Sequence, residues 1–327
     1  MTVLVTGGAG YIGSHTVRAL VDKGRSVVVL DNLQKGHKQA VKGADLVIGD
    51  ISNEELVTEI IKKYDVTSVI HFAADSLVEE SMMEPRKYYH NNVIKTIKLL
   101  DAILKNSINK IVFSSTAAVY GSPKEVPIQE NIELKPTNVY GRTKRMIENV
   151  LEDYDMAYGL KYIALRYFNA AGACVTGEIG EDHSPESHLI PIILQVALGK
   201  RDKLIIYGND YHTKDGTCIR DYVHVSDLAE AHILALEALE GGKDSTIYNV
   251  GNGKGFSVKE IVLEIEKFIG KEIPKEISLR RPGDPDILIA SIEKIKKELG
   301  WHPKYTLYDI IETAWRWHNS HPQGFEE

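Results

Sequence analysis

The segment Gly7-Gly8-Ala9-Gly10-Tyr11-Ile12-Gly13 constrains this chain more than any other. Val3-Leu4-Val5 before it reads as a short buried strand. Ser14 to Val21 after it reads as a helix with Val17, Leu20 and Val21 on one face. A strand, a glycine turn and a helix together hold a dinucleotide pyrophosphate. The glycines allow the tight turn and the close backbone approach. The first N–H groups of the helix and its positive dipole end then meet the phosphates. A second strand, Ser26 to Leu30, runs into Asp31, 18 residues beyond Gly13. A carboxylate there accepts hydrogen bonds from an adenosine ribose and repels a 2′-phosphate, which selects NAD over NADP. The competing reading is an ordinary turn with a solvated strand end. Order, spacing and the acid together favour the dinucleotide.

The strand–helix rhythm continues to about residue 170. Strands are expected at 44–49, 67–74, 110–116 and 162–167, and helices at 54–64, 88–105 and 138–154. This pattern predicts an α/β fold, a Rossmann-type doubly wound parallel sheet, with ligands at the carboxyl ends of its strands. After Asn169 the rhythm becomes irregular. The expected division is therefore a dinucleotide-binding domain over 1–170, to which later segments return, and a smaller α/β substrate domain over 171–327. The residues after Trp317 read as loosely ordered.

Composition narrows the function classes. A hydrophobic share of 43% and a charged share of 26% fit a globular protein with a sizeable core. A net charge of −7 with no Lys/Arg block argues against nucleic acid. No apolar run approaches the roughly 18 residues that would span a membrane. Cys174 and Cys218 are far apart, which suits free buried thiols in a reducing, cytoplasmic setting. The first strand begins at residue 3, so no signal peptide is expected. The histidines show no metal spacing, and no metal is expected. Trp301, Trp315 and Trp317 read as core residues.

The chemistry centres on Tyr140-Gly-Arg-Thr-Lys144, which places a phenol and an ammonium on one helix face. A phenol with its ordinary pKa of about 10 is a poor base at neutral pH. A nearby ammonium and the charge of an oxidised nicotinamide both favour the phenolate. Thr116, at the end of the preceding strand, can hydrogen-bond a substrate alcohol and relay its proton. Such a group suits removal of a proton from a secondary alcohol as its hydride leaves. Alone, a Tyr/Lys pair at this spacing is commonplace on helix surfaces. After a dinucleotide turn and Ser114-Ser115-Thr116 it points to catalysis.

At this point the chain resembles the extended short-chain dehydrogenase/reductase superfamily and, within it, the UDP-glucose 4-epimerase family. The resemblance covers essentially the whole length. It is carried by Gly7 to His15, Asp31-Asn32-Leu33, His71 to Ala74, Asn91-Asn92, Ser114 to Gly121, Tyr140 to Lys144, Arg166 to Gly172, Tyr207 to Tyr211, Asp215 to Thr217, Arg220 to Asp227, Tyr248 to Gly253 and Arg280 to Asp284. It implies that Tyr140, Lys144 and Thr116 are catalytic. It implies that NAD is held tightly by Gly7, Gly10, Tyr11, Ile12, Gly13, Asp31, Asn32, Leu33, Asp50, Ile51, Phe72, Ala73, Ala74, Ser76, Asn91, Ser114, Tyr140, Lys144, Tyr167 and Phe168. A UDP-hexose then lies against Thr116, Tyr140, Asn169, His188, Leu189, Tyr207, Arg220, Arg281 and Asp284. Arg220 and Arg281 suit a diphosphate, because guanidinium forks match phosphate oxygens. The alternative for Arg220 is an ion pair with Asp221 or Asp227.

The implied reaction oxidises the sugar at C4, turns the 4-keto sugar while UDP stays anchored, and reduces the opposite face, which regenerates NAD. Three positions depart from the family pattern. Ser76 stands where several members have lysine, and His188 where some have asparagine. Leu288 lies where hexose-only members often carry tyrosine, so N-acetylated UDP-hexoses are a further expectation. A 4,6-dehydratase would follow its hydroxyl with Asp-Glu, whereas Thr116 is followed by Ala117-Ala118. Enzymes acting on UDP-pentoses or UDP-uronates stay open, as does a non-catalytic NAD-sensing module. The apolar stripes at 88–105 and 138–154 either pair two copies into a homodimer through a four-helix bundle or are buried within one chain.

Overall fold

The computed structural model describes residues 1–281 and 283–325. In chain order the strands are β1 Thr2–Thr6, β2 Ser26–Asp31, β3 Asp45–Ile48, β4 Val66–His71, β5 Lys110–Thr116, β6 Lys161–Tyr167, β7 Asn169–Ala171, β8 Leu204–Tyr207, β9 Ile219–His224, β10 Thr246–Val250, β11 Gly255–Ser257, β12 Lys275–Ser278 and β13 Ile287–Leu288. The helices are α1 Tyr11–Asp22, α2 Glu54–Tyr64, α3 Val78–Met83, α4 Pro85–Tyr88, α5 Lys95–Lys105, α6 Val139–Tyr158, α7 Leu189–Ala197, α8 Val225–Glu240, α9 Val258–Ile269, α10 Glu293–Leu299 and α11 Leu307–Ser320.

The described residues build a seven-stranded parallel sheet in the order β10-β6-β5-β4-β1-β2-β3. Alternate strand residues face opposite layers, as the period of two requires. Val3 and Val5 pack with Val17 and Leu20 of α1 and with Leu228 and Leu236 of α8. Leu4 packs on the other side with Val57 of α2, Leu99 of α5 and Ile147 of α6. Strand order reverses between β1 and β4, which opens a crevice at their carboxyl ends. β10 and α8 come from beyond residue 170 yet complete this sheet and its helical layer.

A second core joins α7, α9 and α11 to β8 and β9. There β9 is central, antiparallel to β11 and parallel to β7 and β13. β8 and β12 form a separate parallel pair with Tyr207 opposite Ser278.

Several sequence expectations shift. The helix expected at 88–105 is α4, a π-helical turn over Tyr89–Ile94, and α5. β4 stops at His71 instead of reaching Ala74, because the chain turns there into the crevice. Helix α6 runs on to Tyr158 and ends on left-handed Gly159. The tail is ordered further than expected. α11 continues to Ser320, and Phe325 packs 4.7 Å from the Trp317 ring. Cys218 is buried, but Cys174 is only half-buried. Trp301 and Trp317 are core residues, while Trp315 is half-buried.

Candidate functional site

The glycine turn follows β1 directly. Gly7 has φ +72°, and a Cβ there would lie 2.5 Å from the backbone nitrogen of Ala73. A Cβ on Gly13 would lie 2.2 Å from the Gly7 carbonyl oxygen. Both positions exclude side chains, so backbone alone faces the crevice at the start of α1. Gly10 is the N-cap of that helix and supplies no side-chain cap, which leaves the first N–H groups for an anion. Tyr11 donates its hydroxyl to the Gly172 carbonyl at 2.6 Å and so ties the turn to the second core.

Asp31 closes the turn from the side. Its carboxylate accepts N–H groups from Ala9 and Leu33, both at 2.9 Å. A carboxylate has about four acceptor sites, so capacity remains for a ribose diol. Burial raises the pKa of Asp31, while those N–H bonds lower it. Asn32 is exposed beside it and Leu33 takes the left-handed conformation. Asp50 follows β3 and is held by Lys95 at 2.5 Å and the Ser52 hydroxyl at 2.7 Å, with Ile51 buried next to it.

Phe72, Ala73 and Ala74 cross the crevice, with Phe72 and Ala73 bonded through their N–H groups to the Thr6 carbonyl. Ser76 is exposed. Asn91 reaches Asp75 Oδ2 at 3.0 Å. Asn92 was absent from the expected cofactor residues, yet it is the more deeply built. It grips the Asp75 backbone at both N–H (2.8 Å) and C=O (2.9 Å) and bonds Thr143 of α6 at 3.1 Å. The π-helical turn rotates it inward, as such turns often do at functional sites. A helix of regular period gave no reason to expect that rotation.

Tyr140, Lys144 and Thr116 come together at the same edge, all buried. Lys144 donates to the Ser114 carbonyl at 2.7 Å, 4.9 Å from the Phe113 ring centroid and 6.0 Å from that of Tyr140. Ser114 also shares a 2.7 Å hydrogen bond between its hydroxyl and that of Tyr167. Phe168 is buried immediately after β6. Burial pulls Lys144 down to about 7 against the field of Glu148. Burial pushes the Tyr140 phenol well above its ordinary value, and the Tyr167 phenol adds to this, while a hydrogen bond with Thr116 works the other way. The spacing to Lys144 had implied a lowered phenol. In the protein alone desolvation is the largest influence on the Tyr140 phenol, and it raises the pKa.

Behind this group, Arg166 forms a two-pronged ion pair with Glu148, both bonds 2.8 Å, and Ser115 adds a third bond to the same carboxylate at 2.7 Å. Glu148 lies one turn after Lys144 on α6, so the network fixes that turn.

Four of the expected nucleotide ligands form two pairs. Arg220 lies on β9 opposite Leu288 of β13, and its guanidinium is 3.3 Å from Asp284. Neither Asp221 nor Asp227 is its partner. Asp221 accepts the N–H groups of Asn252, Gly253 and Ala290, and Asp227 those of Lys304 and Tyr305. The Arg281 guanidinium stacks 4.0 Å over the Tyr207 ring. Of the 280–284 segment, Pro282 lies outside the described residues. Asn169 is exposed on β7, and Leu189 is the first residue of α7. The His188 Nδ1 atom pairs with Glu181 and Glu186.

These features place a dinucleotide cradle and a buried Tyr/Lys/Thr group at the carboxyl ends of the sheet strands. The sequence model of the NAD dependent epimerase/dehydratase family matches residues 3–251. A UDP-glucose 4-epimerase of Halalkalibacterium halodurans is 56% identical over 326 residues, 99% of this chain and 98% of that protein. The chain belongs to this family, among its UDP-glucose 4-epimerases.

A solved UDP-glucose 4-epimerase crystal structure superposes with a TM-score of 0.98 at 50% identity, covering 100% of both chains. That of Bifidobacterium longum, crystallised with NAD+ and UDP, gives 0.94 at 38% identity over 99% of this chain and 100% of that one. As a member of this family the protein is an NAD-dependent isomerase. No described helix is long and apolar enough to cross a membrane.

Proposed function

We propose that the protein interconverts UDP-galactose and UDP-glucose by inversion at C4. The observation that carries this reading is the burial of Tyr140, Lys144 and Thr116 at the crevice edge that also holds the glycine turn. The side-chain-free glycine turn, with the uncapped first N–H groups of α1, fits a pyrophosphate, and Asp31 fits the adenosine ribose. NAD bound there supplies reversible oxidation of the sugar C4.

Tyr140 takes the proton of the 4-hydroxyl, with Thr116 bridging, and returns a proton to the 4-keto sugar after it turns. A phenol that burial holds protonated is suited to the return step, and the positive charge brought by oxidised NAD lowers its pKa for the first. Lys144 supports both by its place between the Ser114 carbonyl and the Tyr140 ring. Arg220 and Arg281 hold the diphosphate, Asp284 the uridine ribose, and Tyr207 lies by the uracil. Asn169 and Leu189 line the same face. The firm grip is on the nucleotide, so the hexose remains free to rotate. Residues 1–170, with β10 and α8, form the NAD-binding domain, and the remainder of 171–327 mainly the UDP-sugar domain.

Leu288 packs half-buried beside Ala117, Phe168 and Ala290, next to the catalytic turn. A tyrosine there is bulkier than Leu288, so this reading extends to UDP-N-acetylglucosamine as a substrate, and Leu288→Tyr is expected to remove that activity while sparing UDP-galactose. Val93, Ile97, Val150 and Tyr154 remain half-buried on the outer helical layer, where a second copy packs to give a homodimer. Free Cys174 and Cys218 accord with a cytoplasmic location.

The deciding experiment is UDP-galactose turnover by the purified protein without added NAD, read as UDP-glucose. Turnover supports a recycled, tightly held cofactor. Silence even with added NAD overturns the proposal and favours another UDP-sugar or an NAD-sensing role.

A further inference from the structure

We propose that Glu181, His183, Glu186 and His188 bind a divalent transition metal of the zinc class, which fastens the loop leading into α7. The four residues form two Glu-x-His pairs, Glu181-Asp182-His183 and Glu186-Ser187-His188. Each offers one ligand atom, and these atoms all lie within 4.8 Å of one another. Both imidazole Nδ1 atoms face Glu181 Oε1, at 2.7 Å from His188 and 3.2 Å from His183. Glu186 completes the set, with Oε1 3.0 Å from His188 Nδ1 and Oε2 4.0 Å from His183 Nδ1. A tetrahedral ion with bonds of about 2.0 Å needs its ligand atoms about 3.3 Å apart. The observed separations bracket that edge length.

Charge points the same way. Glu181 is 3% exposed and Glu186 7%. Two adjacent buried carboxylates require a countercharge. Among the described residues, the ion pairs of both carboxylates are with these two histidines alone. Arg201, close by, donates to the Glu186 backbone carbonyl instead. A dication neutralises both carboxylates and takes the imidazoles in their neutral form, in which Nδ1 can carry a lone pair. An open groove lined by Glu181, His183, Glu186 and His318 gives the ion a path in. Carboxylate and imidazole ligands without thiolate suit zinc.

The role is positional. The loop is tied to the cofactor side by Tyr11 to Gly172, Lys35 to Ser184 at 3.0 Å and His37 to Asp182 at 3.1 Å. Trp317 donates to the Glu181 carbonyl at 3.0 Å from the other side. Residue 189 then begins α7. An ion at this cluster fastens the junction between the glycine turn and the second core.

The test uses full-length, untagged protein freed of metal by dialysis against a chelator and then titrated with zinc by calorimetry. One equivalent per chain is expected, with a rise in Tm on loading. Cobalt in place of zinc is expected to show the visible bands of a four-coordinate site. His183→Gln and Glu186→Gln should each weaken zinc by more than the roughly 10- to 100-fold that losing an outer-shell partner costs. Far-UV circular dichroism and retained NAD identify which variants are folded. If a variant misfolds, the stoichiometry and the cobalt spectrum of the parent protein decide. Absence of saturable zinc binding to the parent overturns the site. So does binding that folded His183→Gln and Glu186→Gln leave unchanged.

Discussion

The Lys144 ammonium nitrogen lies 2.7 Å from the Ser114 carbonyl oxygen, buried on α6 one turn from Tyr140. Burial holds its pKa down at about 7, well below an ordinary lysine. Its role therefore separates into an effect on turnover and an opposite effect on stability. Lys144→Met should cut kcat by roughly 10²- to 10⁴-fold, as should Tyr140→Phe. The folded protein binds fewer protons than the unfolded chain between pH 7 and the ordinary lysine value near 10.5. Stability from this group thus rises as pH climbs through that window, and the full penalty stands below pH 7. Urea unfolding at pH 7 and pH 9 should show that increment in the parent and not in Lys144→Met.

Four buried histidines set the acid limit. Burial lowers His71 and His224 to about 3 and His15 and His232 to about 4. A depressed folded pKa means the unfolded chain takes up protons first as pH falls below about 6.5. Their contribution is fully present above that value and is lost on the way down to about 4 for His15 and His232 and about 3 for His71 and His224, by roughly 1.4 kcal/mol per pH unit for each histidine. Chemical denaturation at pH 7, 6 and 5 should show a steep fall. His224→Gln should flatten the slope even where it lowers stability at pH 7.

Glu148→Gln should destabilise by roughly 3–5 kcal/mol, because it leaves the Arg166 guanidinium charged and buried without its carboxylate. It should also lower kcat through the Lys144 turn, whereas KM changes little. A loss of stability with unchanged kcat would confine the Arg166–Glu148 pair to the core.

Arg281→Ala and Arg220→Ala should each raise KM for UDP-galactose roughly 10- to 100-fold, the weight of a charge-assisted hydrogen bond, with a smaller effect on kcat. Retention of NAD should be unaffected, since both lie on the substrate side. Equal losses in kcat and kcat/KM would instead place them at the reacting sugar.

The sequence by itself determined what depends on near neighbours. Strand, glycine turn and helix at 3–21, the acid at 31 and the Tyr140/Lys144 pair are fixed by turn geometry and by helix period, so they were readable without a partner. The tertiary structure alone decided what depends on desolvation and on distant chain segments. Whether Tyr140 rises or falls in pKa is set by its burial, which spacing does not report. Tyr207 meets Arg281 because β8 and β12 end side by side, and Arg220 meets Asp284 because β13 pairs with β9. Asn92 turns inward through a π-helical turn that interrupts the expected period. The histidines showed no metal spacing in the sequence. Only the folding of the loop before α7 against Tyr11 and Trp317 brings the four ligand atoms of Glu181, His183, Glu186 and His188 to one point.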